Sequence, residues 1–164
     1  MIIGIAGADG AGKSTLAKAL TLISLSERPV VITSFAQALR EELIADLRLP
    51  REEVYAKPTP DHIRKALREH GAFRRRNDVN YWCNKLMASL DDDGRTLYFI
   101  DDVRFINEAH AIRKRGGIIL FLGCADEFAT EPSFAELWLV KQYADILLPA
   151  KPNAINRLVP LLTL

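Results

Sequence analysis

IIGIAGADGAGKSTLAKAL, residues 2–20, is the stretch on which the reading of this chain turns. Ile2, Ile3, Ile5 and Ala6 form a short apolar run, the pattern of a buried strand. Gly7 to Ser14 then spell G-x-x-x-x-G-K-S, and Leu16, Ala17, Ala19 and Leu20 open a helical pattern. Strand, glycine-rich turn and helix is the context in which this string cradles phosphate, the P-loop arrangement. Residues without a Cβ let main-chain N–H groups approach an anion, and the new helix aims its free N–H groups at the same point. Lys13 is expected to reach the outer phosphates and Ser14 to offer its hydroxyl to Mg²⁺. An ordinary glycine turn would not place a lysine and a serine in register with three glycines. Gly7, Asp9, Gly10, Ala11, Gly12, Lys13, Ser14 and Thr15 are thus the candidate nucleotide-binding residues, with ATP and Mg²⁺ as the expected cofactors.

Composition sets the bounds around this loop. The 164 residues suit a single domain with a real core, and the hydrophobic (49%) and charged (26%) fractions are those of a soluble protein. No apolar run approaches the roughly 20 residues of a membrane span. The apolar start lacks the basic flank of a signal peptide, so a cytoplasmic protein with no membrane partner is expected. Cys83 and Cys124 are too few and too isolated for a disulfide framework or a zinc site. With 22 Lys and Arg against 21 Asp and Glu, the net charge of +1 argues against a nucleic-acid coat. Yet Arg64, Lys65, Arg68, His70, Arg74, Arg75 and Arg76 crowd one stretch opposed only by Glu69. A local cationic site in a near-neutral chain suits a small phosphate better than a polymer.

Outward from the loop, a helix from Lys13 to about Ser26 leads to a buried strand at Val30-Val31-Ile32, closed by Ser34-Phe35. A helix over 36–47 ends at Pro50, and Arg51 to Pro60 reads as a surface connection. Thr59-Pro60-Asp61 starts a helix that should stop at Gly71, a good C′ residue, leaving Ala72 to Asn77 as a basic loop. On that helix Ile63 and Leu67 share one stripe and Arg64 and Arg68 the next. Asp78 is expected to cap the helix carrying Tyr81, Trp82, Leu86 and Leu90. Further strands are expected at 96–100, 118–122 and 145–148, with helices over 107–115, 133–143 and 153–162. Phe134, Leu137 and Val140 would face inward, and Gly116-Gly117 would end the helix before the fourth strand. Strands alternating with helices imply a three-layer α/β fold around a parallel sheet, with ligands outside the carboxyl ends of the strands. The domain would run 1–164, with a helical acceptor-binding insertion at 36–94 and a short lid-like segment at 123–135.

That rim collects the remaining candidates. Asp102, with Asp101 as the alternative, stands where a P-loop enzyme needs an acid for Mg²⁺ opposite Ser14. Arg104 can clamp a phosphoryl oxygen with its planar fork, although Glu108 at i,i+4 is a competing partner. Arg64, Arg68, Arg75 and Arg76 make a second anion site, set against the solvated basic face that such runs usually form. Phe35, Phe73, Tyr81 and Trp82 are candidate base-stacking rings, for which core packing is the competing role.

Taken together, Gly7–Thr15, the helix of Arg64 and Arg68 with Asp78 and Tyr81-Trp82 beyond it, and Asp102-Val103-Arg104-Phe105-Ile106-Asn107-Glu108 resemble phage-type deoxynucleoside monophosphate kinases. The resemblance implies a nucleoside monophosphate kinase-like P-loop fold with strand order 2-3-1-4-5. It also implies transfer of the γ-phosphate of ATP to a (deoxy)nucleoside monophosphate, with Lys13, Arg104 and Asp102 catalytic and Ser14 and Asp102 on the metal. Phe35, Arg64, Arg68, Arg75, Arg76, Asp78, Trp82 and Arg104 would hold the acceptor. A homodimer is compatible with the chain. Two departures stand out: Ile106 replaces a usual proline, and 123–132 carries no arginine where lid arginines are expected. The second departure motivates a non-catalytic nucleotide-binding protein as one alternative; a kinase of another small acceptor such as dephospho-coenzyme A, from a family sharing the P-loop start and general architecture, is the other.

Overall fold

The computed structural model describes residues 1–24, 28–123 and 134–149. Residues 124–132 of the arginine-free segment, the side chain of Phe134 and the helix expected at 153–162 lie outside them. The elements run β1 (Ile2–Gly7), α1 (Lys13–Ser24), β2 (Val30–Thr33), α2 (Phe35–Leu47), α3 (Arg51–Val54), α4 (Asp61–Asn77), α5 (Tyr81–Ser89), β3 (Leu97–Val103), α6 (Ile106–Lys114), β4 (Ile118–Leu122), α7 (Phe134–Gln142) and β5 (Ile146–Leu148). No helix among the described residues is long and apolar enough to cross a membrane.

The chain forms two compact units, one of residues 1–34 with 91–164 and one of Phe35–Leu90. The first holds a five-stranded sheet in the order β2-β3-β1-β4-β5, with every pairing parallel. β1 lies in the middle and is buried along all six residues, which is why it reads as a continuous apolar run. Ile3, Ile5, Phe99, Leu120 and Leu122 pack with Leu16, Ala17 and Leu20 of α1. On the other face a side chain at Gly4 would strike Ile112 of α6 at 2.7 Å, so that glycine lets α6 settle onto the sheet. Helices thus cover both faces, as three layers require. Leu137 and Val140 of α7 are buried as their spacing predicts. β2 departs from the expectation of a buried strand. It is an edge strand, and Val31 and Ile32 stay 42% and 37% exposed.

The second unit packs α2 against α4 and α5. Its main departure from the sequence reading is that α4 does not stop at Gly71 but runs to Asn77, so Arg74, Arg75 and Arg76 form its last turn rather than a loop. Gly71 is there for close approach. Trp82 Nε1 donates to its carbonyl at 3.2 Å, and a Cβ would lie 3.3 Å from Leu39 Cδ2. Arg51–Val54, expected as irregular connection, is the short helix α3.

Candidate functional site

Order 2-3-1-4-5 makes β1 the strand on either side of which the chain winds in opposite directions, and ligands in such sheets sit beyond that point. The loop after β1 occupies that position. Its first turn cannot carry a side chain. Gly7 has a φ of +139°, and a Cβ there would lie 2.5 Å from the carbonyl oxygen of Leu122 on β4. The loop closes with Ala11 N–H donating to Ala8 O at 3.2 Å, and α1 starts at once, Leu16 N–H reaching Gly12 O at 2.8 Å.

Lys13 is only 9% exposed and lies along the loop. Its Nζ donates to the carbonyls of Gly7 at 2.8 Å and Ala8 at 2.7 Å. Burial, and then the charge of Arg104, lowers its proton affinity below that of an ordinary lysine, against the pull of Asp9, Asp101 and Asp102. The ammonium is thus stored beside the concave turn, tethered by two main-chain acceptors that a phosphate can replace.

Ser14 donates its hydroxyl to Oδ2 of Asp101 at 2.6 Å. This corrects the choice of Asp102, since the acid that meets the serine is Asp101. The cause is a bulge in β3. Gly4 to Ala6 of β1 pairs with Ile100 to Val103, so three steps of β3 match two of β1 at the Asp101-Asp102 pair. A bulge re-aims side chains and breaks the simple alternation from which one acid could be picked. Both carboxyls remain half-buried at the rim. A serine hydroxyl beside a carboxylate is a hard oxygen pair of the kind Mg²⁺ takes, so the residues fit the ion. Asp101→Asn is expected to weaken the apparent Mg²⁺ affinity at least about tenfold. Asp102→Asn should change it far less. Magnesium titrations of activity decide between them, and equal effects would reject the assignment.

Arg104 follows the bulge. Its guanidinium does not pair with Glu108, the competing partner weighed from the sequence. Instead Nη2 donates to Asp9 Oδ1 at 2.6 Å, across the loop. Glu108, buried, takes the main-chain N–H groups of Arg104 (2.7 Å) and Phe105 (3.0 Å) on Oε2. A carboxylate at the third position of α6 reaching back in this way satisfies N–H groups that the helix leaves open. It also pins the start of the arginine arm.

Apart from Arg104, the predicted acceptor residues lie in the second unit and divide. Arg64, Arg68 and Arg76 are exposed; Arg64 Nη2 reaches Thr59 O at 3.2 Å and Arg68 Nε reaches Arg64 O at 3.4 Å. Arg75 is half-buried beside Gly71. Asp78 ends α4 and accepts the N–H of Asn80 at 2.8 Å, bracing the turn into α5 instead of capping it through a side chain. Phe35 and Trp82 are corrected. Both are buried, and Trp82 stands edge-on to Tyr81 at 4.9 Å, so these rings pack rather than offer a face to a base. Phe73, also considered as a stacking ring, is 55% exposed.

One basic residue escaped the sequence reading. Arg40 of α2 is half-buried, and its Nε is the sole described buried side-chain nitrogen or oxygen atom without a hydrogen-bond partner. Its guanidinium lies 5.6 Å from the centre of the Tyr55 ring. The neighbouring acids are taken elsewhere. Glu41 binds Arg51 and Tyr55, and Glu42 binds His70, Arg74, Tyr81 and Lys85. A spacing count could not flag Arg40, because in sequence it stands beside two glutamates and looks neutralised.

No family model matches the sequence, and neither does any curated protein. Among solved structures, the shikimate kinase of Aquifex aeolicus is similar at a TM-score of 0.50 and 20% identity, covering 99% of this chain and 96% of that one. Shikimate kinase from Acinetobacter baumannii, in complex with shikimate, is similar at 0.50 and 13% identity, covering 99% and 90%. At these identities the likeness is one of fold. The chain has the five-stranded, helix-flanked architecture of P-loop kinases over nearly its whole length.

Proposed function

We propose that this chain is an ATP-dependent phosphotransferase whose acceptor is a (deoxy)nucleoside monophosphate. The observation that carries the reading is the loop after β1, where a buried, main-chain-tethered Lys13 adjoins a Ser14–Asp101 oxygen pair at the carboxyl end of the central strand. That pairing of a cation with hard oxygen ligands is what a magnesium-bound triphosphate needs. The nucleoside monophosphate acceptor is supported by the resemblance carried in Asp102–Glu108 and the Arg64/Arg68 helix. The buried Nε of Arg40, which has no hydrogen-bond partner, supports an anionic acceptor of some kind.

In this scheme an acceptor phosphate oxygen attacks the γ-phosphorus, the bond to the β–γ bridging oxygen breaks, and ADP leaves. The acceptor is already an anion, so no strong general base is required. Lys13 and Arg104 spread the charge on the transferring group. Ser14 and Asp101 would hold Mg²⁺, which would supply charge neutralisation at the phosphates.

The test is ADP release with ATP, Mg²⁺ and a panel of all common nucleoside monophosphates, with dephospho-coenzyme A and shikimate as rival acceptors. Turnover with one or more monophosphates is expected. Turnover only with a rival acceptor would replace the substrate assignment. ATP binding without ADP from any acceptor would leave a nucleotide-binding protein and overturn the kinase reading. Arg40→Met refines the assignment, because it keeps the side-chain bulk and removes the guanidinium. The acceptor KM should rise roughly 10–100-fold, the loss expected for a charge-assisted hydrogen bond. The melting temperature should hold or rise, since a buried N–H without a partner is removed with it. A variant with wild-type KM would remove Arg40 from the site.

A further inference from the structure

The loop is built to attract anions, yet it carries a carboxylate of its own. Asp9 stands in the middle of it with a side chain 66% exposed. Its Oδ1 accepts from Arg104 Nη2 at 2.6 Å, and the same oxygen lies 3.9 Å from Lys13 Nζ. Three charges therefore alternate in a row, with Asp9 between two cations that both belong near phosphate. Without Asp9 the cations would face each other; the charge of Arg104 already counts, after burial, against the protonated form of Lys13, while that of Asp9 favours it. The base of the arginine arm is fixed, because buried Glu108 holds the N–H groups of Arg104 and Phe105. Only the guanidinium end has room to change partner.

We propose that Asp9 is the internal counter-anion of the loop and the residue that tunes its affinity for polyphosphate. With no ligand bound, Asp9 holds Arg104. A phosphoryl oxygen then takes the place of the carboxylate on the guanidinium. The exchange trades one charge-assisted hydrogen bond for another, so a ligand that uses Arg104 binds less tightly by the strength of the pair it breaks. The pair is largely exposed, which keeps that handicap modest, and a shift of about 3–10-fold in dissociation constant is expected. Asp9 thus excludes weakly held anions from an otherwise indiscriminate cradle. The proposal rests on the reading of this loop as a polyphosphate site.

The test uses inorganic tripolyphosphate and calorimetry at constant low salt, and needs neither acceptor nor turnover. Wild-type protein, Asp9→Asn, Arg104→Gln and the double variant are compared, each checked for a wild-type circular dichroism spectrum. Asp9→Asn should bind tripolyphosphate about 3–10-fold more tightly than wild type, and the same change in the Arg104→Gln background should gain less than about twofold. Unchanged or weaker binding by Asp9→Asn would overturn the proposal. So would an equal gain in both backgrounds, which would mark a general charge effect without exchange at Arg104. If neither wild type nor Asp9→Asn binds tripolyphosphate while both are folded, the polyphosphate reading of the loop itself fails, and the proposal with it.

Discussion

Lys13→Ala should lower kcat by about 10²–10³-fold while the protein stays folded, because it removes a fixed cation aimed at charge that develops during transfer. The side chain does more than decorate the surface. It is 9% exposed, and its ammonium is held by the carbonyls of Gly7 and Ala8 in the turn where phosphate would sit. Gly7 and Ala8 are buried, so the loss of this donor costs about 1–3 kcal/mol, less than the stability of a domain of this size. Lys13→Arg should not rescue. A planar guanidinium is wider than an ammonium and cannot occupy the same two-carbonyl seat. Steady-state ADP release, with the melting temperature as control, separates a catalytic loss from unfolding. Turnover near wild type in Lys13→Ala would remove the loop from the chemistry.

The second large effect is expected in the other unit. Glu42 is 5% exposed and collects four partners: Arg74 Nε at 2.6 Å, His70 Nε2 at 3.0 Å, the Tyr81 hydroxyl at 2.6 Å, and the Lys85 ammonium. It ties α2 to α4 through His70 and Arg74, and α2 to α5 through Tyr81 and Lys85. Burial pushes its carboxyl up, but the hydrogen bonds from Lys85, Tyr81, Arg74 and His70 outweigh it and hold the pKa down at about 2. Glu42→Leu leaves two cations and a tyrosine hydroxyl without their acceptor. Arg74 and Lys85 are about a third exposed and can partly rehydrate, so the cost is set below that of a fully buried pair, at about 2–3 kcal/mol. A fall of about 5–10 °C in melting temperature follows. Asp46, His70 and Glu42 lie close enough to hold a metal, but the arginine and lysine already on Glu42 fill that role electrostatically.

The sign of the pH dependence follows from the depressed value. Glu42 is ionised in the folded state down to about pH 2, whereas an unfolded glutamate protonates near its ordinary value of 4.5. Its contribution is complete above that ordinary value and is lost as the pH falls from there towards 2. Wild type should therefore lose stability on acidification between those limits more steeply than Glu42→Gln, read from urea midpoints against pH. Parallel curves would show that the network contributes nothing of this kind.

The residues that misled are instructive. Gly71 carried the mark of a helix end, yet α4 runs through it, because the missing Cβ makes room for Leu39 and not for a left-handed turn. No local rule separates the two uses of glycine; the difference lies in Leu39, on another helix. Asp102 was chosen over Asp101 from the sequence, and the choice failed because it depends on a bulge produced by the pairing of β3 with β1. Arg104 and Glu108 were correctly placed near each other, but the carboxylate took the main chain and the guanidinium crossed to Asp9, 95 positions away in sequence. Arg40 looked paired beside Glu41 and Glu42 until the folded chain gave both acids to other cations.

What the chain spells out locally is the strand, the phosphate-binding turn, the helix after it and the alternation that makes a parallel sheet. These depend on backbone sterics and on periodic burial, both of which act over a few residues. Which acid faces Ser14, which cation faces Asp9 and which arginine buries an Nε without an acceptor are matters of pairing between distant segments. Charges separated by dozens of residues compete for partners only once the backbone has brought them together, and the outcome depends on distances that no stretch of sequence contains.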